Sequence, residues 1–458
     1  MNIRSLLLFF TAMLLPFSAF AEEKTVTVEE FIKIASEKDT YFEQILIDEM
    51  KLKYKKEISS AAGDILLSVK GRYNFEIDAS NPDSKEASVS LAKLFPCIGL
   101  EAGISYSLSD YPSVSGETSA FNASFSIPLA KNAFGYSSRM TNEIAGLEEE
   151  ISSHQAVEAY EEYLSSLLKL YYTWYSNYAA MKAAEISFEE SKNLLNNMQA
   201  RRKSGIAYKI DVNKTRLQSI EKEETLITIK QSYIESLNLV KQAMRTDAAI
   251  LPAKPGPYRA VDYGNTDINS LIENSRTFSI LDLLVKKAGV SEGKAFNSLL
   301  PSADFTAGYS LSGSGFNLNG TEHAAFIGFE LGLPIIAGQK EHAEHESAKL
   351  ESKRQSLSKE SSSGAFKTNL VNLFNELKGR EKILKLAEEK EILANAVYKE
   401  EKEYYNQARS SLNDLISAIN SLENAKFSRI SEEIKLNILI VEWLRLTDTL
   451  ITKTDIIK

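Results

Sequence analysis

The sequence predicts a mainly α protein whose long helices carry a small membrane β-barrel, built from a duplicated unit. Three observations predict it. Two very long stretches lack proline and show helical apolar periodicity; stretches of strict alternation stand ahead of each; and landmarks of the first half recur in the second at one fixed offset.

The first element is a leader. Arg4, an apolar run from Leu6 to Phe17, and Ala19 and Ala21 around Phe20 make a charged start, a greasy middle and an A-x-A cleavage pattern. Residues 1–21 therefore read as a signal peptide, with the exported chain starting near Glu22. The run is shorter than the ~20 residues of a spanning helix and contains Pro16. The best later candidate, Leu436 to Leu444, is broken by Glu442 and is shorter than the ~18 residues that suggest a span. A membrane crossing would have to be made by strands. The single cysteine, Cys97, lies far from the cleavage site, which excludes a lipidated first residue and an internal disulfide. A net charge of -9 is the wrong sign for a nucleic-acid footprint.

The strands come next. From Ile65 to Ile77 the odd positions include Leu67, Val69, Tyr73 and Phe75, while Ser68, Lys70, Arg72, Asn74 and Glu76 alternate with them. The same period returns with Phe121, Phe125, Ile127 and Leu129, with Phe305, Ala307, Tyr309 and Leu311, and with Ala325, Ile327, Phe329, Leu331 and Leu333. Each is long enough for the roughly 9–11 residues that cross a bilayer as a strand. A further alternating piece, Ala102, Ile104, Tyr106 and Leu108, lies in a stretch of about 33 extra residues between the two strands of the first half. The chain leaves and re-enters helices on one side of the membrane, so crossings are even in number and the extra stretch is a hairpin or a loop.

The long helices follow. No proline lies between Pro128 and Pro252, and none follows Pro334. Tyr160, Leu164, Leu167, Tyr171, Trp174, Tyr178 and Met181 recur at steps of three and four, the seam of helix packed on helix. A continuous helix from Arg139 to Ser204 would be about 100 Å long at ~1.5 Å per residue.

The duplication rests on pairs of residues 203 positions apart: Gly135 with Gly338, Gly205 with Ala408, and Asp211 with Asp414. It divides the chain into a first repeat at 22–262, with strands near 65–77 and 118–129 and a helical tip at 205–211, and a second at 263–458, with strands near 302–312 and 323–334 and a tip at 408–414. Each repeat reads helix, strand, strand, long helix, tight turn, helix. Thr27-Val-Glu-Glu30 is a capping-box pattern for the first helix. Gly205 is suited to a left-handed helix end, and Ser411 with Asp414 to a cap for the next helix. Ala408 departs from that logic, because a Cβ is disfavoured at positive φ.

These residues resemble the TolC-like outer-membrane efflux proteins. The resemblance is carried by Gly205 and Asp211-Val212 at the first tip, by Asp414-Leu415 at the second, and by the strand opening Leu300-Pro301-Ser302-Ala303. The strand exits Ile127-Pro128-Leu129 to Gly135 and Leu333-Pro334 to Gly338, and the duplication, complete it. The resemblance implies a homotrimer in the outer-membrane lipid, each subunit giving four strands to a twelve-stranded barrel that continues into a periplasmic α-helical barrel. It implies a passive channel for efflux or type I secretion, with a periplasmic adaptor (membrane fusion) protein and an inner-membrane transporter as partners. It places Gly205, Asp211, Tyr405, Ala408 and Asp414 at the periplasmic gate and adaptor-docking tip. Asp211 and Tyr405 match positions that bond between tip turns, and Asp414 matches an acidic ring at the constriction. Ser410, beside Arg409, and Ser417 stand where the best-known member has a basic residue and a second acid. The competing expectation from another class is a periplasmic structural or adaptor coiled coil with a soluble sheet.

No enzyme is expected. His342 and His345, among Glu341, Glu344 and Glu346, read as a charged helix face with no third ligand implied. Gly313-Ser-Gly315 lacks the Lys-Ser/Thr of a phosphate loop. No catalytic, cofactor or metal residues are assigned.

Overall fold

A computed structural model describes residues 24–60, 63–75, 83–111, 116–259, 268–315, 319–333 and 339–451. The leader, Glu76 and Ile77, the exit from Pro334 to Gly338 and the repeat boundary at 262–263 lie outside them.

The elements run β1 (Lys24–Val26), α1 (Val28–Lys38), α2 (Thr40–Ser60), β2 (Ile65–Asn74), β3 (Ser84–Phe95), β4 (Leu100–Tyr111), β5 (Gly116–Pro128), a 3-10 turn (Ala133–Gly135), α3 (Tyr136–Lys203) and α4 (Lys209–Met244). The chain continues through β6 (Ile250–Pro252), α5 (Ile268–Glu273), α6 (Arg276–Ser298), β7 (Ser302–Ser314), β8 (Asn319–Gly332), α7 (Gln339–Asn406) and α8 (Leu412–Leu446). The strand and tip positions expected from the sequence are thus occupied by strands and by helix–helix turns, and α3 and α7 are each 68 residues long. No described helix is apolar enough over its length to cross a membrane.

The described residues form two compact units that cut across the two halves of the sequence, one drawn from within 1–43, 161–266 and 370–458 and the other from within 44–160 and 267–369. In the first, the predicted seam is a core. Leu167, Tyr171, Trp174 and Met181 are buried, and Tyr171 meets Phe31 at 5.7 Å and Trp174 edge-on at 5.6 Å between centroids. The Tyr171 hydroxyl donates toward the carbonyls of Val26 (2.7 Å) at the end of β1 and Ala253 (2.9 Å) just after β6, two strands that pair in parallel. Thr27 and Glu30 form the predicted capping box at the start of α1.

The second unit is built on one antiparallel sheet of six strands in the order β2-β3-β4-β5-β7-β8. This corrects the strand count that the resemblance implied. The extra residues of the first half fold into the β3–β4 hairpin, which stands between β2 and β5 and pairs with both. Each chain therefore carries six strands in one sheet, where the resemblance implied four per subunit. The hairpin arises because Ala87, Val89 and Leu91 on β3, and Ile104, Tyr106 and Leu108 on β4, keep the period of two in phase with the neighbouring strands.

Candidate functional site

Two sets of residues carry chemistry, one in each unit. In the second unit it is a face of the sheet. The register puts Leu67, Leu91, Ile104, Ala123, Tyr309 and Ala325 on one rung across all six strands. The next rung is Val69, Val89, Tyr106, Phe121 and Leu311, ending at His323. This face is apolar and open: Val69 is 71% exposed and Ile327 80%. The intervening positions, among them Lys70, Arg72, Ser88, Ser105, Asn122 and Thr306, make the other face polar. Toward the β2–β3 turn the apolar rungs end in charge, with Lys85, Asp110 and Glu117 side by side. A sheet greasy on one face and wet on the other, with aromatic residues along the greasy side, has the same alternation as the wall of a membrane barrel.

At the other end of the sheet the connections to the helices are braced. After β5 the chain passes through Asn132, Phe134 and Gly135, all at positive φ. The Asn132 side-chain oxygen accepts from Ser137 N (2.8 Å), and Asn132 N donates to Asn297 Oδ1 on α6 (2.9 Å). Arg139 on α3 donates from Nη1 to the Phe134 carbonyl (2.6 Å) and to the Cys97 carbonyl in the β3–β4 turn (3.0 Å). Sequence reasoning did not single out Arg139, Asn132 or Asn297. Asn297 and Cys97 lie 165 and 42 residues from the groups they meet, and no local pattern announces those contacts.

In the first unit the site is the pair of helix–helix turns. Both have the same hydrogen-bonded ending. Gly205, at φ 75, closes α3 with bonds from its own N to the Arg202 carbonyl (3.0 Å) and from Ile206 N to the Arg201 carbonyl (2.9 Å). Ala408, at φ 57, closes α7 with the matching bonds, Ala408 N to Tyr405 O (3.1 Å) and Arg409 N to Tyr404 O (2.8 Å). Ala408 thus takes the left-handed conformation that its Cβ opposes.

The helices that follow start alike too. Asp414 N donates to Ser411 Oγ (3.2 Å) and the Asp414 carboxylate accepts from Ser411 N (3.3 Å), a complete capping box. Asp211 accepts from Tyr208 N at 3.3 Å, which is the carboxylate half of the same device. Both acids therefore cap their own helices, and Asp414 is exposed.

Tyr405 is half-buried between α7 and α3, and the Arg201 guanidinium lies over its ring at 5.0 Å. Burial raises the Tyr405 phenol above its ordinary value; Arg201 pulls it back and the Asp211 charge adds to the rise. Asp211, Tyr405 and Arg201 thus form one electrostatic cluster within a single chain. Behind it Tyr398 donates to Glu190 Oε1 (3.1 Å) and receives Lys402 Nζ (3.0 Å). A groove of about 490 Å³ runs along these residues, floored by Leu194, Leu415 and Ile419. Ser410 is bonded to Glu401 rather than to either tip acid. Deeper between α4 and α8, Lys222 and Glu423 form a buried ion pair.

Compared by sequence with protein-family models and with curated proteins, the chain has no match. Compared by structure it is similar over almost its whole length to solved outer-membrane channels. The outer membrane protein VceC from Vibrio cholerae superposes with a TM-score of 0.71 at 12% identity, over 92% of this chain and 95% of that one. The Campylobacter jejuni CmeC outer membrane channel gives 0.71 at 13%, over 93% and 86%. The open state of the Neisseria gonorrhoeae MtrE outer membrane channel gives 0.69 at 14%, over 92% and 89%. The fold is that of the TolC-like outer-membrane channels, as the sequence motifs implied.

Proposed function

We propose that this chain is the subunit of a trimeric outer-membrane channel. Its strands lie in the outer membrane and its helices in the periplasm of a Gram-negative envelope. It conducts substrates passively from a periplasmic adaptor and inner-membrane pump to the outside, in efflux or type I secretion, and carries out no catalysis.

The observation that carries this reading is the sheet. An apolar face that continues over all six strands, backed by a polar one, suits lipid on one side and a water-filled lumen on the other. Its edge strands β2 and β8 leave one row each of backbone groups unpaired within the chain. In hydrocarbon such edges must be closed, which a further copy does. A soluble sheet on a coiled coil would leave the same apolar face in water, a strong aggregation hazard. The likeness in fold to solved outer-membrane channels supports the same reading, as does the duplication into repeats at 22–262 and 263–458. Gly205, Asp211, Tyr405, Ala408 and Asp414 then form the periplasmic gate, and the groove beside Tyr405 and Tyr398 receives the adaptor.

The test is to express the full chain, separate inner and outer membranes, and run the extract in mild detergent. A trimer in the outer membrane that conducts ions in a planar bilayer is the expected result. A soluble monomer or dimer overturns it.

A further inference from the structure

We infer that the β3–β4 hairpin is part of the barrel wall, so that three chains close an eighteen-stranded barrel whose outer mouth is wide, leaving size selection to the helical tip. The inference rests on the trimeric channel reading above and goes beyond it in fixing the width of the exit.

Three observations place the hairpin in the wall. It is not appended to the sheet but interposed: every residue from Lys85 to Lys93 is in register with β2 on one side and β4 on the other, and β4 is paired with β5 from Glu101 to Tyr111. If it were an external flap, β2 would pair directly with β5; no such pairing exists among the described residues. Its alternation is in phase with the wall, since Val89 and Tyr106 share an apolar rung with Val69 and Phe121, while Ser88, Ser105 and Ser107 fall on the polar face. Finally, its turn is anchored where the sheet meets the helices. Gly99 packs backbone to backbone on Gly135, and Arg139 holds the Cys97 carbonyl. The hairpin therefore spans the full height of the sheet.

Six strands are fewer than the eight of the smallest membrane barrels, so one chain cannot close alone. Because β2 runs away from the helices and β8 returns to them, β8 of one copy meets β2 of the next antiparallel, and the alternation continues around the ring. Three copies of six strands make eighteen. With a strand spacing of ~4.8 Å and a tilt of ~40°, such a barrel is about 36 Å across the backbone, against about 24 Å for twelve strands. Barrels of this size leave an open aqueous channel. A mouth of that width offers little resistance, so the constriction that sorts cargo is at the tip, and the exit admits solutes as large as polypeptides.

The experiment uses full-length protein with Cys97→Ser, carrying single spin labels at Ser88→Cys, Val89→Cys, Ser105→Cys and Tyr106→Cys, reconstituted in lipid. Labels at 89 and 106 should collide with oxygen dissolved in the bilayer, and those at 88 and 105 with a water-soluble relaxant. In the same bilayers, polyethylene glycol added from the barrel side should enter up to a radius at least ~1.5-fold larger than in a variant lacking residues 84–111, since the side-chain layer narrows the smaller barrel proportionally more. A trimer in which all four labels meet only water overturns the eighteen-stranded wall and leaves the channel reading intact. Absence of a membrane trimer overturns both. The label pattern decides the matter even if the deletion variant fails to assemble.

Discussion

Gly99 and Gly135 lie backbone against backbone, both at positive φ (68° and 75°), so close that a Cβ on either would stand inside 3.0 Å of the other's backbone. One glycine belongs to the β3–β4 turn and the other to the exit from β5, so their contact fixes the hairpin to the strand–helix junction. An L side chain in the left-handed region costs about 1–2 kcal/mol before any clash is counted. Gly99→Ala and Gly135→Ala should each lower the unfolding free energy by at least that much, as read from denaturant melts. Arg139→Met, which keeps the aliphatic stem but removes the Nη1 that donates to both the Cys97 and Phe134 carbonyls, should also destabilise, by about 1–3 kcal/mol for the carbonyls left without that donor. An alanine variant as stable as the wild type would mean that the turn is not held there.

At the tips, the two α-helix endings invite exchange of their residues. Ala408 sits at φ 57 where its counterpart Gly205 sits at φ 75. Ala408→Gly relieves about 1–2 kcal/mol of dihedral strain and gives back about 0.5–1 kcal/mol through the greater freedom of glycine when unfolded. The net expectation is a gain of about 0.5–1 kcal/mol, with Gly205→Ala losing a comparable amount. Paired melts of the two variants check the sign.

That strain was readable in advance, because the offset between the repeats put an alanine where the first tip has glycine. So were β2, β5, β7 and β8, whose apolar residues are large and regularly spaced. β4 was visible as an alternating piece, but β3 was not: its apolar positions are interrupted by Lys85 and Lys93 and include the small Ala87, so its period emerges only beside its partners. The count of four strands per chain came from the family resemblance, whose pattern does not include the inserted β3–β4 hairpin. The braces at the strand exit were illegible too, since Asn132 meets Asn297 across 165 residues and Arg139 meets Cys97 across 42. Three-residue strands such as β1 and β6 are too short to show any period at all. At the helical tips, the family resemblance singled out Asp211, Tyr405 and Asp414. Arg201, which stacks on Tyr405, went unnoticed because it sits among three consecutive basic residues that read as an ordinary helix end.

The α8 carboxylates predict how the protein responds to acid. Burial alone would raise the Glu442 carboxyl, but Arg445 and Lys169 bond to it and leave it below its ordinary value of about 4.5. Glu432, held by Lys435 and Arg380, is lowered in the same way. A carboxyl whose folded value is depressed binds protons more readily when unfolded, so its contribution is full above the unfolded value and fades as pH falls through the folded one. Stability should be flat from neutral pH to about 5 and decline below 4.5. Glu442→Gln should flatten part of that decline while lowering the plateau. Thermal melts across pH 3–7 would show it, and a wild-type profile flat through pH 4 would refute it.

The last question is whether Asp414 does more than cap α8. Its carboxylate closes a box with Ser411, yet it is exposed at the turn, where three copies in a trimeric tip would draw cations and repel one another. Two substitutions separate the roles. Ser411→Ala removes the hydroxyl that receives Asp414 N and should cost about 0.5–2 kcal/mol of stability with no change in ion selectivity. Asp414→Asn keeps a side-chain oxygen for Ser411 N but discards the charge. It should leave the melting temperature almost unchanged while raising single-channel conductance or weakening cation preference. If Asp414→Asn conducts and selects as the wild type does, the acidic ring has no part in the gate and capping is the whole of its work.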